Sequence, residues 1–239
     1  MYNATVARLT YRALLGRKRA ALLFALPLLL LVISVAVRLL AGADDGTTGD
    51  LLGGFALATM VPLIGVIAGT GAIAPEIDDG SIVYLLSKPV RRSVVILTKL
   101  LVAMGVSVFF SAIPTFFAGL ILDGNSRHLA VAYGVAAAVA SLAYSAIFLL
   151  LGVVTRHAVV AGLVYALVWE SLIGSLVPGA RTLSVQQWAL ASASHIADGG
   201  AISAQVGLPV AIVLLVVVTL GATWGAAGKL RRLTLAGEE

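Results

Sequence analysis

Apolar runs of about 20 residues, the length that crosses a bilayer as a helix, recur along the whole chain with short polar stretches between them. Six are long enough to be spans: Ala20 to Leu40, Leu51 to Ala74, Val94 to Leu122, Leu129 to Val154, Ala158 to Val177 and Val206 to Ala227. Pro27 and Pro114 fall inside the first and third, which a membrane helix tolerates. The pattern predicts an all-α membrane protein of six transmembrane helices. Nothing is left over for a soluble domain, so residues 1–239 read as a single transmembrane domain.

The polar intervals carry the rest of the information. Residues 1–19 hold a basic amphipathic helix over 2–18, with Tyr2, Val6, Leu9 and Ala13 on one face and Arg8, Arg12 and Arg19 on the next. The basic residues are spread too widely, and the following apolar run is too long, for a cleavable signal peptide. The helix is either a basic leader that sets topology or an interfacial elbow helix that also touches a partner, its arginines at lipid phosphates. Gly42 to Asp50 reads as a loop. In the second span, Gly65 and Gly69 have the small-xxx-small spacing of close helix packing, within the chain or at a dimer seam. Residues 180–205 are too polar to span but hold Trp188, Ala and Leu, and predict an interfacial or re-entrant pair of short helices.

The longest polar interruption, 75–92, has the densest charge. Pro75 to Lys88 reads as an amphipathic helix lying along the membrane. Ile77, Ile82, Val83 and Leu86 share one side, and Asp78 and Tyr84 the other. Pro75 suits a first helical turn, Glu76, Asp78 and Asp79 suit the positive end of the helix dipole, and Pro89 stops the helix. Arg91, Arg92 and Lys99 then mark return to the membrane.

Composition agrees with this layout. The chain is 60% hydrophobic and 11% charged, against about half and about a quarter for soluble domains. It has no cysteine, which removes disulfides, thiol nucleophiles and Cys-ligated metal sites. The net charge of +5 could suggest nucleic acid. However, 13 of the 16 Lys and Arg fall in the N-terminus, the 75–99 region, the 155–157 turn and the C-terminus, all on one side of a six-span layout. The positive-inside rule makes that side, with both termini, cytoplasmic, so the basic charge serves topology and anionic lipid rather than nucleic acid. A multi-pass protein of the cell membrane is expected.

Candidate chemistry is sparse. There is no phosphate-cradling Gly-x-x-x-x-Gly-Lys-Ser/Thr loop and no Gly-x-Ser-x-Gly elbow. His128, His157 and His195 lie on separate loops without metal-ligand spacing. No catalytic, cofactor or metal residue is assigned. Glu170, deep in the fifth span, is the exception. A lone carboxyl there costs about 3 kcal/mol, so it should face protein or a water-filled cavity. It is either held by neighbours such as Tyr144 or Ser145, or lines and gates a pathway, or couples protons. The last use would suit an ion-gradient-driven secondary transporter, which normally needs several such groups.

Residues 76–99 resemble the permeases of the ATP-binding-cassette type-2 exporter family. That pattern is a Glu, a Gly and Ser or Thr four residues on, a Leu pair, a Pro, an Arg and a Lys opening the third span. Here these are Glu76, Gly80, Ser81, Leu85, Leu86, Pro89, Arg92 and Lys99. The position before the Lys, often Gly in the family, is Thr98. The six-span layout, elbow helix and extracellular re-entrant segment are also similar. The resemblance implies an exporter subunit whose coupling helix receives force from a separate ABC ATPase, present in two copies, which would hold ATP and Mg. It implies that Glu76, Asp78, Asp79, Gly80, Ser81, Tyr84, Pro89, Arg92 and Lys99, with Arg8 and Arg12 of the elbow, serve that coupling. A second permease chain, as a homodimer, would complete the pathway. The mostly Ala, Val, Leu and Gly lining suits an apolar or amphipathic cargo.

Overall fold

The computed structural model describes residues 3–42, 44–81, 92–122, 127–173, 180–197, 202 and 204–232. They are helical with short connections, and no strand occurs among them. The order is α1 (Ala4–Leu14), α2 (Arg17–Ala41), α3 (Asp45–Asp50), a π-helical segment π1 (Leu51–Met60), α4 (Val61–Gly71), α5 (Ala74–Asp78), α6 (Arg92–Leu122), α7 (Arg127–Val154), α8 (Ala158–Val164), a second π-helical segment π2 (Tyr165–Ile173), a 3-10 turn (Ala180–Leu183), α9 (Val185–Ile196) and α10 (Leu208–Arg232). Among the described residues, five helices are long and apolar enough to cross a membrane: Arg19–Leu40, Asp45–Asp78, Arg92–Leu122, His128–Val154 and Leu208–Leu230.

Several boundaries differ from the expectation. The expected fifth span is a shorter apolar helix, Ala158–Glu170, which π2 carries to Ile173; the rest of 158–177 lies outside the described residues. The amphipathic helix is 4–14 rather than 2–18. Asn3 caps its first turn, its side chain accepting from Thr5 N and Val6 N, and Gly16 separates it from α2. The expected loop Gly42 to Asp50 is helical from Asp45, because the Asp44 side chain accepts from Thr47 N and starts the turn. The second span therefore begins six residues earlier than Leu51, and its first ten apolar residues are wound as π1.

The fourth span, α7, is the centre of the bundle. It packs against the third, second and last spans and against α9. The close approach of second and fourth spans is set by the two glycines singled out above. A Cβ on Gly65 would come within 2.8 Å of Tyr144 Cβ, and one on Gly69 within 2.7 Å of Phe148 Cβ and 3.0 Å of the Ser145 carbonyl. These glycines thus serve packing within the chain. Gly119 does the same between third and fourth spans, where a Cβ would meet Ala130 Cα at 2.7 Å. Without a hydrophobic force between helices in lipid, such contact is how spans associate. The first and last spans are peripheral, with large outward faces such as Leu28, Leu39, Val213 and Leu220.

Candidate functional site

The second span ends at Gly71, and the chain turns through Ala72 and Ile73 into the single-turn helix α5. A helix end leaves its last carbonyls without intrahelical donors. Two cations satisfy them here. Arg19, at the start of the first span, donates from Nη1 to the Gly71 carbonyl at 3.1 Å. Lys99, two turns into α6, donates from Nζ to the Ala72 carbonyl at 2.8 Å. Positive charge at a helix C-terminus is also the sign the dipole favours.

Lys99 is entirely buried, and a lone ammonium there would be costly, so it needs more than one partner. It forms an ion pair with Glu76 Oε1 at 2.5 Å and reaches Thr10 Oγ1 of α1 at 3.4 Å. Next to it, Thr98 Oγ1 accepts from Asn3 N at 3.3 Å. Thr98 and Lys99 together hold the elbow helix against the third span. Four elements meet at one side chain: α1, the end of α4, α5 and α6. Glu76 and Lys99 were both expected site residues. Their pairing was not expected, nor were Thr10, Arg19 and the Ala72 carbonyl.

From this joint the chain emerges to the surface. Asp78, Asp79, Gly80 and Ser81 are exposed. The expected continuous helix from Pro75 to Lys88 is corrected: α5 stops at Asp78, and Gly80 adopts φ +68°. Left-handed backbone is easy for glycine and ends a helix. Ser81 Oγ turns back toward the Glu76 carbonyl at 3.5 Å. Tyr84 and Pro89, with Ile82, Val83 and Leu86, lie outside the described residues. Arg92 is the first residue of α6 and half-buried. Arg8 and Arg12 are exposed on α1, away from the Lys99 joint.

Glu170 belongs to a second cluster. It is 3% exposed and sits in π2. Its Oε1 accepts from Val185 N at 3.1 Å and from Tyr165 OH at 3.3 Å, and its Oε2 accepts from Ser184 Oγ. Tyr165 lies five residues before it, the hydrogen-bond interval of a π-helix. The carboxylate thus caps the N-terminus of α9, where the dipole favours negative charge. Gln186 of the same turn donates to the Gly53 carbonyl in π1 at 2.9 Å, and π1 packs against π2. Of the two neighbours expected, Tyr144 stands beside the Glu170 carboxylate while its ring stacks on Phe148, whereas Ser145 is bonded elsewhere, to Ser107 Oγ at 2.9 Å. Ser184 could have been found from sequence, since Ser184-x-x-Gln187 is a capping-box spacing.

No curated protein matches the chain. A family described as "ABC-2 family transporter protein" matches residues 11–222. That stretch includes Arg19, Glu76, Lys99 and the whole Glu170 cluster, with the first four long helices and most of the fifth; Asn3 and Thr10 of the elbow helix precede it. The chain belongs to this family, and is accordingly a multi-pass membrane component of an ABC transporter, not itself catalytic, of a kind that generally works with an ABC ATPase subunit.

Proposed function

We propose that this chain is the permease half of an ATP-driven exporter, receiving force at the 76–99 region from a separate ABC ATPase. The observation that carries the reading is the Lys99 joint. A push on the exposed turn at Asp78 and Asp79 moves α5, and Glu76 on α5 is ion-paired to Lys99. Lys99 in turn holds the end of the second span and the elbow helix. A load at one point is thereby shared among the elbow and the second and third spans. ATP and Mg belong to the ATPase, in two copies, one beneath each chain of a permease homodimer. ATP binding drives transport by favouring one arrangement of the spans over the other.

In this reading residues 1–239 form one transmembrane domain, and 158–177 complete a sixth span. Both termini lie in the cytoplasm, as the distribution of Lys and Arg supports. The 180–205 segment then lies outside the cell. Glu170 acts there as a latch: two of its three donors, Ser184 Oγ and Val185 N, tie the fifth helix to α9, and opening the outer side of the pathway requires separating them. Full engagement with neutral donors favours a latch over an ion-coupling carboxylate.

The test reverses the exposed charges, Asp78→Lys with Asp79→Lys, in permease co-expressed with its ATPase subunit. The expected result is loss of ATPase co-purification and of ATP-driven transport, with membrane insertion and thermal stability unchanged. Undiminished association with the ATPase would overturn the coupling role of this turn.

A further inference from the structure

We propose that the chain carries a discrete site for one anionic membrane phospholipid, seated between the elbow helix and the first and third spans. A cavity of about 550 Å³ opens there. Its floor is the buried pair Val106 and Phe110, with Phe24 and Phe109 as walls. Phe110 meets Phe24 edge to face at 4.8 Å and Phe109 at 5.2 Å, so the aromatic lining is braced internally. Gly105 makes the notch: it is exposed, and a Cβ there would find nothing within 4 Å. Along α6 the lining runs from Val102 to Phe110, about 12 Å at 1.5 Å per residue. That is an elongated apolar trough shaped for a chain, not for a compact solute.

The rim identifies the headgroup. Tyr11 and Leu15 of the elbow region close the polar end of the trough. Arg8 precedes Tyr11 by three residues and Arg12 precedes Leu15 by three, so each guanidinium shares a helix face with a lining residue. Arg8 and Arg12 are i and i+4 of each other and exposed. No acidic residue occurs in the chain before Asp44. Two exposed arginine forks, each one helical turn from a residue that lines the trough, complement a phosphate with a chain attached. The absence of any carboxylate on this elbow leaves a cationic headgroup without a partner, which selects phosphatidylglycerol-like lipids over phosphatidylcholine. A helix of a second permease chain would fill the trough without needing either arginine.

The inference rests on the chain being embedded in a bilayer and is independent of ATPase coupling. The experiment is native mass spectrometry of the full-length permease in detergent, titrated with phosphatidylglycerol or phosphatidylcholine. The wild-type protein is expected to retain one phosphatidylglycerol per chain in preference to phosphatidylcholine, by on the order of tenfold. Arg8→Gln with Arg12→Gln should abolish the preference while leaving weak retention of both lipids. Gly105→Phe should lose both lipids, and the smaller Gly105→Leu should do so in part with an unaltered melting temperature. Equal retention of the two lipids by wild type, or full retention by both Gly105 variants, would overturn the site. So would a wild-type dimer that binds no lipid, which would assign the trough to a second copy.

Discussion

Replacing Lys99 by Met keeps an unbranched chain of similar length in a site that is 0% exposed, and removes the charge together with its N–H donors. Its carboxylate partner Glu76 is then left three-quarters buried without a counter-ion. Breaking one side of a buried pair costs about 3–5 kcal/mol. Glu76 keeps 26% of its side chain in solvent, which places this variant near the lower bound. The Ala72 carbonyl also loses its donor, adding about 1 kcal/mol. Glu76→Gln strands the fully buried ammonium instead and should cost as much or more. The double variant removes both charges and should return to within roughly 1–2 kcal/mol of wild type, because buried ion pairs contribute little net stability against neutral replacements. A double-mutant cycle on denaturant unfolding in detergent should therefore show a large interaction energy, at least about 6 kcal/mol on these values. ATP-driven transport by the reconstituted complex separates stability from coupling: the double variant should be folded yet poorly coupled, since α5 is no longer tied to α6 and α1. An additive cycle would refute the buried pair. A double variant with wild-type transport would refute its role in passing on force.

Two further outcomes are expected. Gly69→Val would drive a side chain into Phe148 Cβ at 2.7 Å and the Ser145 carbonyl at 3.0 Å, so the second and fourth spans must part. A loss of about 1–3 kcal/mol is expected in the same unfolding assay, while Gly54→Ala, where a Cβ meets nothing within 4 Å, serves as the neutral control. Glu170→Gln keeps an acceptor oxygen for Val185 N and Tyr165 OH, and the Ser184 hydroxyl can turn to accept from the new amide, so it should retain most transport. Glu170→Leu leaves these donors unpaired, at about 1–3 kcal/mol each, and should lose it; equal inactivity of Gln and Leu would mean that ionisation itself matters.

Five of the six expected spans were legible because a bilayer imposes a length and an apolar composition on any helix that crosses it. Gly65 and Gly69 were legible because only small residues allow close helix approach. Glu76 and Lys99 were visible as a spaced motif, but their ion pair joins positions 23 residues apart across a helical turn-around, and tertiary packing alone brings them together. The expectation of one continuous helix from 75 to 88 gave apolar periodicity more weight than Gly80, whose positive φ ends the turn that begins at Ala74. The Asp44 cap was outweighed in the same way by the polarity of its surroundings. Glu170 was recognisable as a buried carboxyl that needed donors. Which donors was hidden, because α9 folds back from beyond the helix to supply them.

Leu51–Met60 holds ten residues of π-helix, far more than the single-turn bulge usual for this form. A π turn contains roughly one residue more than an α turn, so this half of the second span stores surplus chain. A natural deletion of one residue within 51–60 can be absorbed by rewinding a turn as α-helix. Gly65 and Gly69 would keep their phase against Tyr144 and Phe148, whereas the same deletion within Val61–Gly71 would rotate both glycines off the fourth span. Length variation among relatives is therefore expected to concentrate within Leu51–Met60 and to be absent from Val61–Gly71.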